Sequence, residues 1–332
     1  MAELRHLALV GSDTLMGREV REVVASSGLP VELKLVAGEE SESGKLTEQG
    51  GEPALVWSLE VESLEGAAAV FLAGSPESSR KALALPAAAP LIDLTHAAEG
   101  DPRAHVRAPR LEPAGYQVPP GAVHVVAHPA SLALASVLRR LHARYPVRRS
   151  VVHVFEPASE RGSGGIEELQ RQTVGLLSFK SLPKEVFDAQ LSFNLLARLG
   201  EEAPVSLEQV ETRIERDLAT LLAFASPACP PMPSLRLIQA PVFHGYSFSA
   251  WVEFEHNPGV EALETALRGP GTEVRGPDVA PPDAVGVAGE SDISIGAFAS
   301  DRNAPQACWF WMAADNFRLA AENAVAVARQ LL

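Results

Sequence analysis

Cysteine is nearly absent: the 332 residues contain two, Cys229 and Cys308. Two thiols so far apart build neither a zinc cluster nor a disulfide framework. Long apolar runs are missing as well. None approaches the roughly 18 uninterrupted residues of a membrane-spanning helix, so no membrane partner is expected. The amino terminus, MAELRHLALVG, lacks the basic segment, apolar stretch and small-residue cleavage site of a secretory signal, and a cytoplasmic location is expected. Positive charge is in deficit, with 28 Lys and Arg against 42 Asp and Glu and a formal net charge of -14. A field of that sign repels nucleic acid and anionic lipid and argues against both as partners. What is present is ordinary for a folded globular protein, 46% hydrophobic and 21% charged, in a chain long enough for two cores.

The first half alternates short apolar runs with helical or turn segments. Residues 7–10, 31–36, 68–73, 90–94 and 123–127 read as strands, and 17–25 as a helix. Strand and helix in alternation predict a parallel sheet covered on both faces, with ligands at the carboxyl ends of its strands. The second half differs. Longer strands at 150–155, 235–239 and 246–255 mix with helices at 167–177 and 206–223, which predicts an antiparallel-rich α+β domain. Residues 226–233 and 268–282, dense in Gly and Pro, read as loops. The run Trp309-Phe310-Trp311 reads as core, and 314–332 as a helix whose apolar face packs back on the first domain.

Two stretches invite chemistry. In VHVVAHPASLALASVL a valine-rich strand stops at Pro129 and Ser131 precedes an apolar helix beginning near Leu132, a strand-turn-helix elbow. Ser131 is either the cap of that helix or a nucleophile mounted at its amino terminus. The second stretch, Gly11-Ser12-Asp13-Thr14-Leu15-Met16-Gly17, joins the first strand to the first helix, where a dinucleotide pyrophosphate would meet backbone N–H groups. The pattern is incomplete, since Thr14 stands where a tight version has glycine. The second strand ends in Ala37-Gly38-Glu39-Glu40-Ser41. Ser41 suits a 2′-phosphate, whereas Glu39 and Glu40 repel one.

The order VGxxxxxGREV, VFLAGSPESS, IDLTHAAEGDP, VVAHPAS, VHVFEPASERGSGGIEEL, LSFNLL, APVFHGYSFSAWVEF and WFWMAADNFRLAAENAV resembles the aspartate-semialdehyde dehydrogenase family over nearly the whole chain. The resemblance implies a Rossmann-type NAD(P)-binding domain from residues 1–130 with 314–332. It also implies an α+β catalytic and dimerisation domain over 131–313, like that of glyceraldehyde-3-phosphate dehydrogenase, assembled as a homodimer. It implies NADP as cofactor, with Gly11 to Gly17, Ser41 and Asn316 around it. In the family a cysteine thiolate takes the acyl group of aspartyl phosphate, NADPH delivers hydride and a histidine serves as acid and base.

Matched segment by segment, the working positions differ. Ser131 stands where the family's ANPNCS has its nucleophile, and Glu156 where TYQAVSGAG has glutamine. Tyr246 replaces the histidine of GHS. Gln239 replaces the arginine that holds substrate carboxylate, and Glu99 the phosphate-binding arginine after IDxSS; a substrate-facing lysine is matched by Leu207. A serine hydroxyl needs an adjacent base to match a thiol of reference pKa about 8.5, and a tyrosine of reference pKa about 10 is a poor base. Replacing cations by Gln239 and Glu99 removes the bidentate clamp.

These changes point to a catalytically degenerate, Usg-type relative acting by binding or partner regulation, with a weakened nucleotide pocket or none. The alternatives are a working NADP-dependent aspartate-semialdehyde dehydrogenase of amino-acid biosynthesis, or an enzyme of new specificity using Ser131 and Glu156. A His128–Ser131–Glu156 hydrolase is disfavoured by the short spacing of its first two members. His124, His153 and His244 are scattered and read as packed or exposed rather than metal-binding. Arg161 and Arg171 read as surface ion pairs.

Overall fold

Alternation of side chains along the first strand sets up two cores. Leu7 and Leu9 point to one face of a sheet and Ala8 and Val10 to the other, and each pair belongs to a separate buried cluster. The computed structural model describes residues 5–86 and 89–332. The chain divides into a first unit, Met1–Ala127 with Ala320–Leu332, and a second, His128–Leu319.

In the first unit the elements are β1 (Arg5–Val10), α1 (Leu15–Ser26), β2 (Val31–Val36), β3 (Leu46–Gln49), β4 (Glu52–Leu55), α2 (Val61–Leu64), β5 (Ala67–Leu72), α3 (Pro76–Ala84), β6 (Leu91–Asp93), β7 (Ala104–Arg107) and β8 (Val123–Val126). Six strands form a sheet in the order β2-β1-β5-β6-β8-β7, with every pairing parallel. Strands buried on both faces need near-continuous apolar sequence, which β5 and β8 have. One face is covered by Val20, Val23 and Val24 of α1 together with Ala321, Val325 and Ala328 of the carboxyl-terminal helix. The other is covered by Leu64 of α2 and Ala82 of α3. This is the doubly wound, Rossmann-like arrangement expected. The β3–β4 hairpin and β7 carry too little periodicity to be read in advance.

The second unit contains α4 (Pro129–His142), β9 (Val147–Glu156), α5 (Gly162–Leu177), α6 (Leu207–Ala223), β10 (Ser234–Gln239), β11 (Tyr246–Phe254), α7 (Val260–Leu267), β12 (Thr272–Val274), β13 (Ile293–Ser300) and β14 (Ala307–Ala314), with α8 (Asn316–Leu331) starting in it and ending in the first unit. Its sheet runs β10-β9-β11-β14-β13-β12. The central pairings are antiparallel and the two outermost, β10–β9 and β12–β13, are parallel. Val152, Val154, Phe248, Ala250, Phe310 and Met312 point to the buried face.

The opposite face corrects two expectations. Trp309 and Trp311 are not core: Val151, Trp251 and Trp309 lie in register across β9, β11 and β14, and Trp309 is 38% exposed. Only Phe310 between them is buried, because successive strand residues alternate faces. The segment 268–282 is not wholly loop, since β12 lies inside it and pairs with β13 further along the chain.

Candidate functional site

Ser131 is not the helix cap. Pro129 occupies the first turn of α4, so the residue before it becomes the cap, and His128 Nδ1 accepts from the Ala130 N–H at 3.2 Å. The His128 N–H in turn donates to the Asp217 carboxylate on α6 at 2.8 Å. Ser131 is fully buried inside the first turn, and its hydroxyl donates to the Ile214 carbonyl of α6 at 2.8 Å.

Three other substituted positions share one row on the buried sheet face. Gln239 pairs with Glu156 across β10 and β9. Ser247 pairs with Phe155, which sets Tyr246 beside Glu156 on the other flank. Gln239, Glu156 and Tyr246 are all essentially inaccessible. Gln239 donates through Nε2 to the Glu156 carbonyl at 2.8 Å. Glu156 Oε2 accepts from Arg161 Nη2 at 2.9 Å, so Arg161 makes a buried ion pair and not the surface one expected. Glu156 Oε1, Gln239 Oε1, Arg161 Nε and the Tyr246 hydroxyl have no hydrogen-bond partner.

The electrostatics follow from burial. Desolvation pushes the Glu156 carboxyl up to about 7 against the pull of Arg161, with nearby Glu160 adding to the rise. Desolvation, with Glu160 and Glu156 behind it, holds the Tyr246 phenol well above its ordinary value, so it is a neutral hydrogen-bond donor and no base. Glu160 is raised by burial as well, although Asn316 donates to its Oε1 at 2.7 Å.

Asn316, the expected cofactor contact, sits at the start of α8 inside the second unit. Its Oδ1 accepts from the Gly245 N–H at 3.1 Å, and its Nδ2 lies 3.1 Å from Ser159 Oγ. Ser159 Oγ also lies 3.2 Å from His244 Nδ1, and His244 Nε2 lies 2.9 Å from Asp315 Oδ2. Ser159, His244 and Asp315 were not singled out together in the sequence; only the fold unites them. An open depression of about 890 Å³ in this unit lies elsewhere, lined by Val242, Ser247, Trp311 and residues 281–286 among others.

In the first unit Gly11 has φ 81°, and a Cβ there would lie 2.2 Å from the Gly74 Cα. Thr14, not a glycine, caps α1 by accepting from the Gly17 N–H at 2.9 Å, and no acidic residue occupies the first turn of that helix. Such a turn fits a pyrophosphate. Asp13 is engaged by Arg21 at 3.4 Å, and Ser12 is buried with its hydroxyl unpartnered.

The end of β2 is different. Glu42 Oε2 accepts from the N–H groups of Gly38 and Glu39 at 2.9 and 3.1 Å, and Glu39 Oε1 accepts from Ser75 at 3.1 Å. Carboxylates thus occupy the donors after the second strand. The 2′-phosphate of NADP does not fit there. Beyond Glu39 and Glu40, the acid that reaches the backbone is Glu42, which its spacing of three from Glu39 signals as a capping pair. Ser41 is exposed, as is Glu99, while Leu207 is buried in the first turn of α6.

His124 and His153 are in different units, and His124 Nδ1 contacts Arg107 Nη1 at 2.6 Å. Among the described residues no group of three or more His, Cys, Asp or Glu is placed to hold a metal.

Residues 138–319 match the family model for the semialdehyde dehydrogenase dimerisation domain. A USG-1 protein homolog of Azotobacter vinelandii is 31% identical over 98% of this chain and 97% of its own length. The aspartate-semialdehyde dehydrogenase of Prochlorococcus marinus is 26% identical over 98% of this chain and 95% of its own. Among solved structures, a probable aspartate-semialdehyde dehydrogenase from Pseudomonas aeruginosa superposes with a TM-score of 0.85 at 26% identity, covering 99% of this chain and 98% of that one. The Candida albicans enzyme with NADP has a TM-score of 0.70 at 12% identity, covering 99% and 100%, which shows a shared fold.

Proposed function

The chain belongs to the aspartate-semialdehyde dehydrogenase family, and from that premise we propose that it has lost the dehydrogenase chemistry and acts by binding, as a Usg-type member. The observation that carries this is the Ser131 hydroxyl, fixed on the Ile214 carbonyl at 2.8 Å at the nucleophile's position. A serine donating its only proton to a backbone carbonyl is not activated by a base. Tyr246, at the position of the family's histidine, is held neutral and cannot take that proton. The unpartnered polar atoms of Glu156, Gln239 and Tyr246 support a retained binding role, because buried polar groups without partners are costly unless a polar ligand meets them.

The first unit is the nucleotide-binding part in this reading and the second the dimerisation part. Gly11, Ser12, Asp13, Thr14, Leu15, Met16 and Gly17 would hold a pyrophosphate in the first unit, where Ser41 is a further family position. The acidic loop after β2 disfavours NADP, so saturable quenching of tryptophan fluorescence is expected with NADH and none with NADPH at millimolar concentration. The row of exposed Val151, half-buried Trp251 and exposed Trp309 supports a homodimer built on that sheet face. Asp301 Oδ2 accepts from the indole N–H of Trp251 at 2.9 Å and of Trp309 at 2.7 Å, which fixes both rings there.

The deciding experiment is phosphate-dependent reduction of NADP by aspartate semialdehyde, with protein purified from a host lacking the authentic enzyme. No turnover at high protein concentration is expected. Turnover that disappears in Ser131→Ala would overturn the reading in favour of a working dehydrogenase.

A further inference from the structure

Ser159, His244 and Asp315 are drawn from three separate segments: the short 3-10 turn Ala158–Arg161 after β9, the residues just before β11, and the junction of β14 with α8. Their side chains make a continuous line, Ser159 Oγ to His244 Nδ1 at 3.2 Å and His244 Nε2 to Asp315 Oδ2 at 2.9 Å. Hydrogens are assigned by elimination. Asp315 already accepts from the N–H groups of Gly289 at 2.7 Å and Arg318 at 2.9 Å, and these with His244 keep its carboxyl below the ordinary range despite burial. The carboxylate therefore takes the proton on Nε2, which leaves Nδ1 as an acceptor. Asn316 Nδ2 donates to Ser159 Oγ at 3.1 Å. The serine's own proton has two acceptors in reach, Asn316 Oδ1 at 3.4 Å, which already accepts from the Gly245 N–H, and His244 Nδ1 at the shorter 3.2 Å. Hydroxyl, imidazole and carboxylate in that order are the arrangement that activates a serine.

We propose that Ser159, His244 and Asp315 form a nucleophile–base–acid relay that hydrolyses small carboxylic esters. The relay uses none of the substituted family positions and needs no dinucleotide, although Asn316 and Glu160 connect it to His128 at the start of α4. Ser159 Oγ attacks the ester carbonyl carbon, and His244 Nδ1 receives the hydroxyl proton as the oxygen–carbon bond forms. Collapse of the tetrahedral intermediate breaks the bond to the alcohol oxygen, which leaves with the proton from His244. Water then attacks the acyl-serine, passing one proton through His244 back to Ser159 Oγ and releasing the carboxylic acid. Asp315 stays ionised and holds the imidazolium. The first turn of α5, which no side chain caps, follows Ser159 in the same segment and is a source of N–H groups for the oxyanion. His244 keeps 26% of its side chain exposed whereas Ser159 is buried, so access is from the imidazole side and favours a small acyl group.

The test treats the full chain with an alkyl fluorophosphonate and maps the adduct by peptide mass spectrometry, alongside hydrolysis of p-nitrophenyl acetate. The adduct is expected on Ser159. His244→Asn should slow labelling on the order of 100-fold or more, with Asp315→Asn slowing it less. Melting curves confirm that each variant is folded. Where Ser159→Ala does not fold, Ser159→Cys, nearly isosteric, should be alkylated by iodoacetamide faster than the same variant carrying His244→Asn. No adduct on Ser159, or an unchanged rate in folded His244→Asn, overturns the relay.

Discussion

The Ser131 hydroxyl on α4 and the Ile214 carbonyl on α6 are joined by a 2.8 Å hydrogen bond within the second unit. Ser131→Ala leaves that carbonyl without its side-chain donor, and a loss of about 1–2 kcal/mol in urea unfolding is expected, with ligand binding unchanged. A variant as stable as the parent would remove the structural role assigned to this serine.

His124 introduces a pH dependence in the first unit. Its Nδ1 lies 2.6 Å from Arg107 Nη1, so the ring has to be a neutral acceptor, and burial followed by the Arg107 charge holds its pKa at about 4. The folded pKa lies below the unfolded value of 6.5. The stabilisation is complete above about pH 6.5 and is lost as pH falls toward 4, a change on the order of 2–3 kcal/mol. The stability of the parent relative to His124→Gln should rise between pH 4.5 and 7, and a difference that stays constant with pH would contradict this account.

Glu156 acts with the opposite sign. Its carboxyl is raised to about 7 from 4.5, so the folded state holds a proton that the unfolded state has released, and stability declines as pH rises between those values. The span is on the order of 3 kcal/mol. The stability of Glu156→Gln relative to the parent should rise between pH 5 and 7.5, and a difference that stays constant with pH would show that another group is responsible.

Gly11→Ala should be among the most damaging single changes. The residue has φ 81°, and the added Cβ would fall 2.2 Å from backbone of Gly74. A loss of at least about 3 kcal/mol, or failure to accumulate as soluble protein, is expected. Parent-like melting would refute it.

Trp309→Glu tests the exposed sheet face. A charge placed beside Trp251 and Asp301 in a dimer interface should weaken association on the order of 100-fold, read by sedimentation or light scattering across a dilution series. A dimer that persists unchanged would move the interface elsewhere.

The parallel sheet was readable because β1, β2, β5 and β8 are short apolar runs with helix signals between them, and the order of segments was enough to place the family. Local chemistry was less readable. Serine is a favoured cap and histidine is not, so the sequence pointed to Ser131, although Pro129 fixes the cap one residue ahead of itself at His128. Trp309 and Trp311 look like core in a one-dimensional reading, since hydrophobicity does not say whether a sheet face is covered by its own chain. Arg161 is buried only because the turn after β9 folds it back onto Glu156. His244 read only as packed or exposed, since the Asp315 carboxylate beside it arrives from the junction of β14 with α8.

Gly11, Gly38 and Gly74 come from the ends of β1, β2 and β5, and a Cβ added at Gly38 or Gly74 would lie 3.2 or 3.4 Å from the Gly11 Cα. Three loops therefore share one small volume: a side chain at Gly11 would enter the Gly74 backbone, one at Gly38 would press on Gly11, and one at Gly74 would meet Ser78 Oγ at 2.4 Å. The three positions are graded in what they can inherit: a library randomising all of them at once should return glycine almost without exception at Gly11, and less strictly at Gly38 and Gly74.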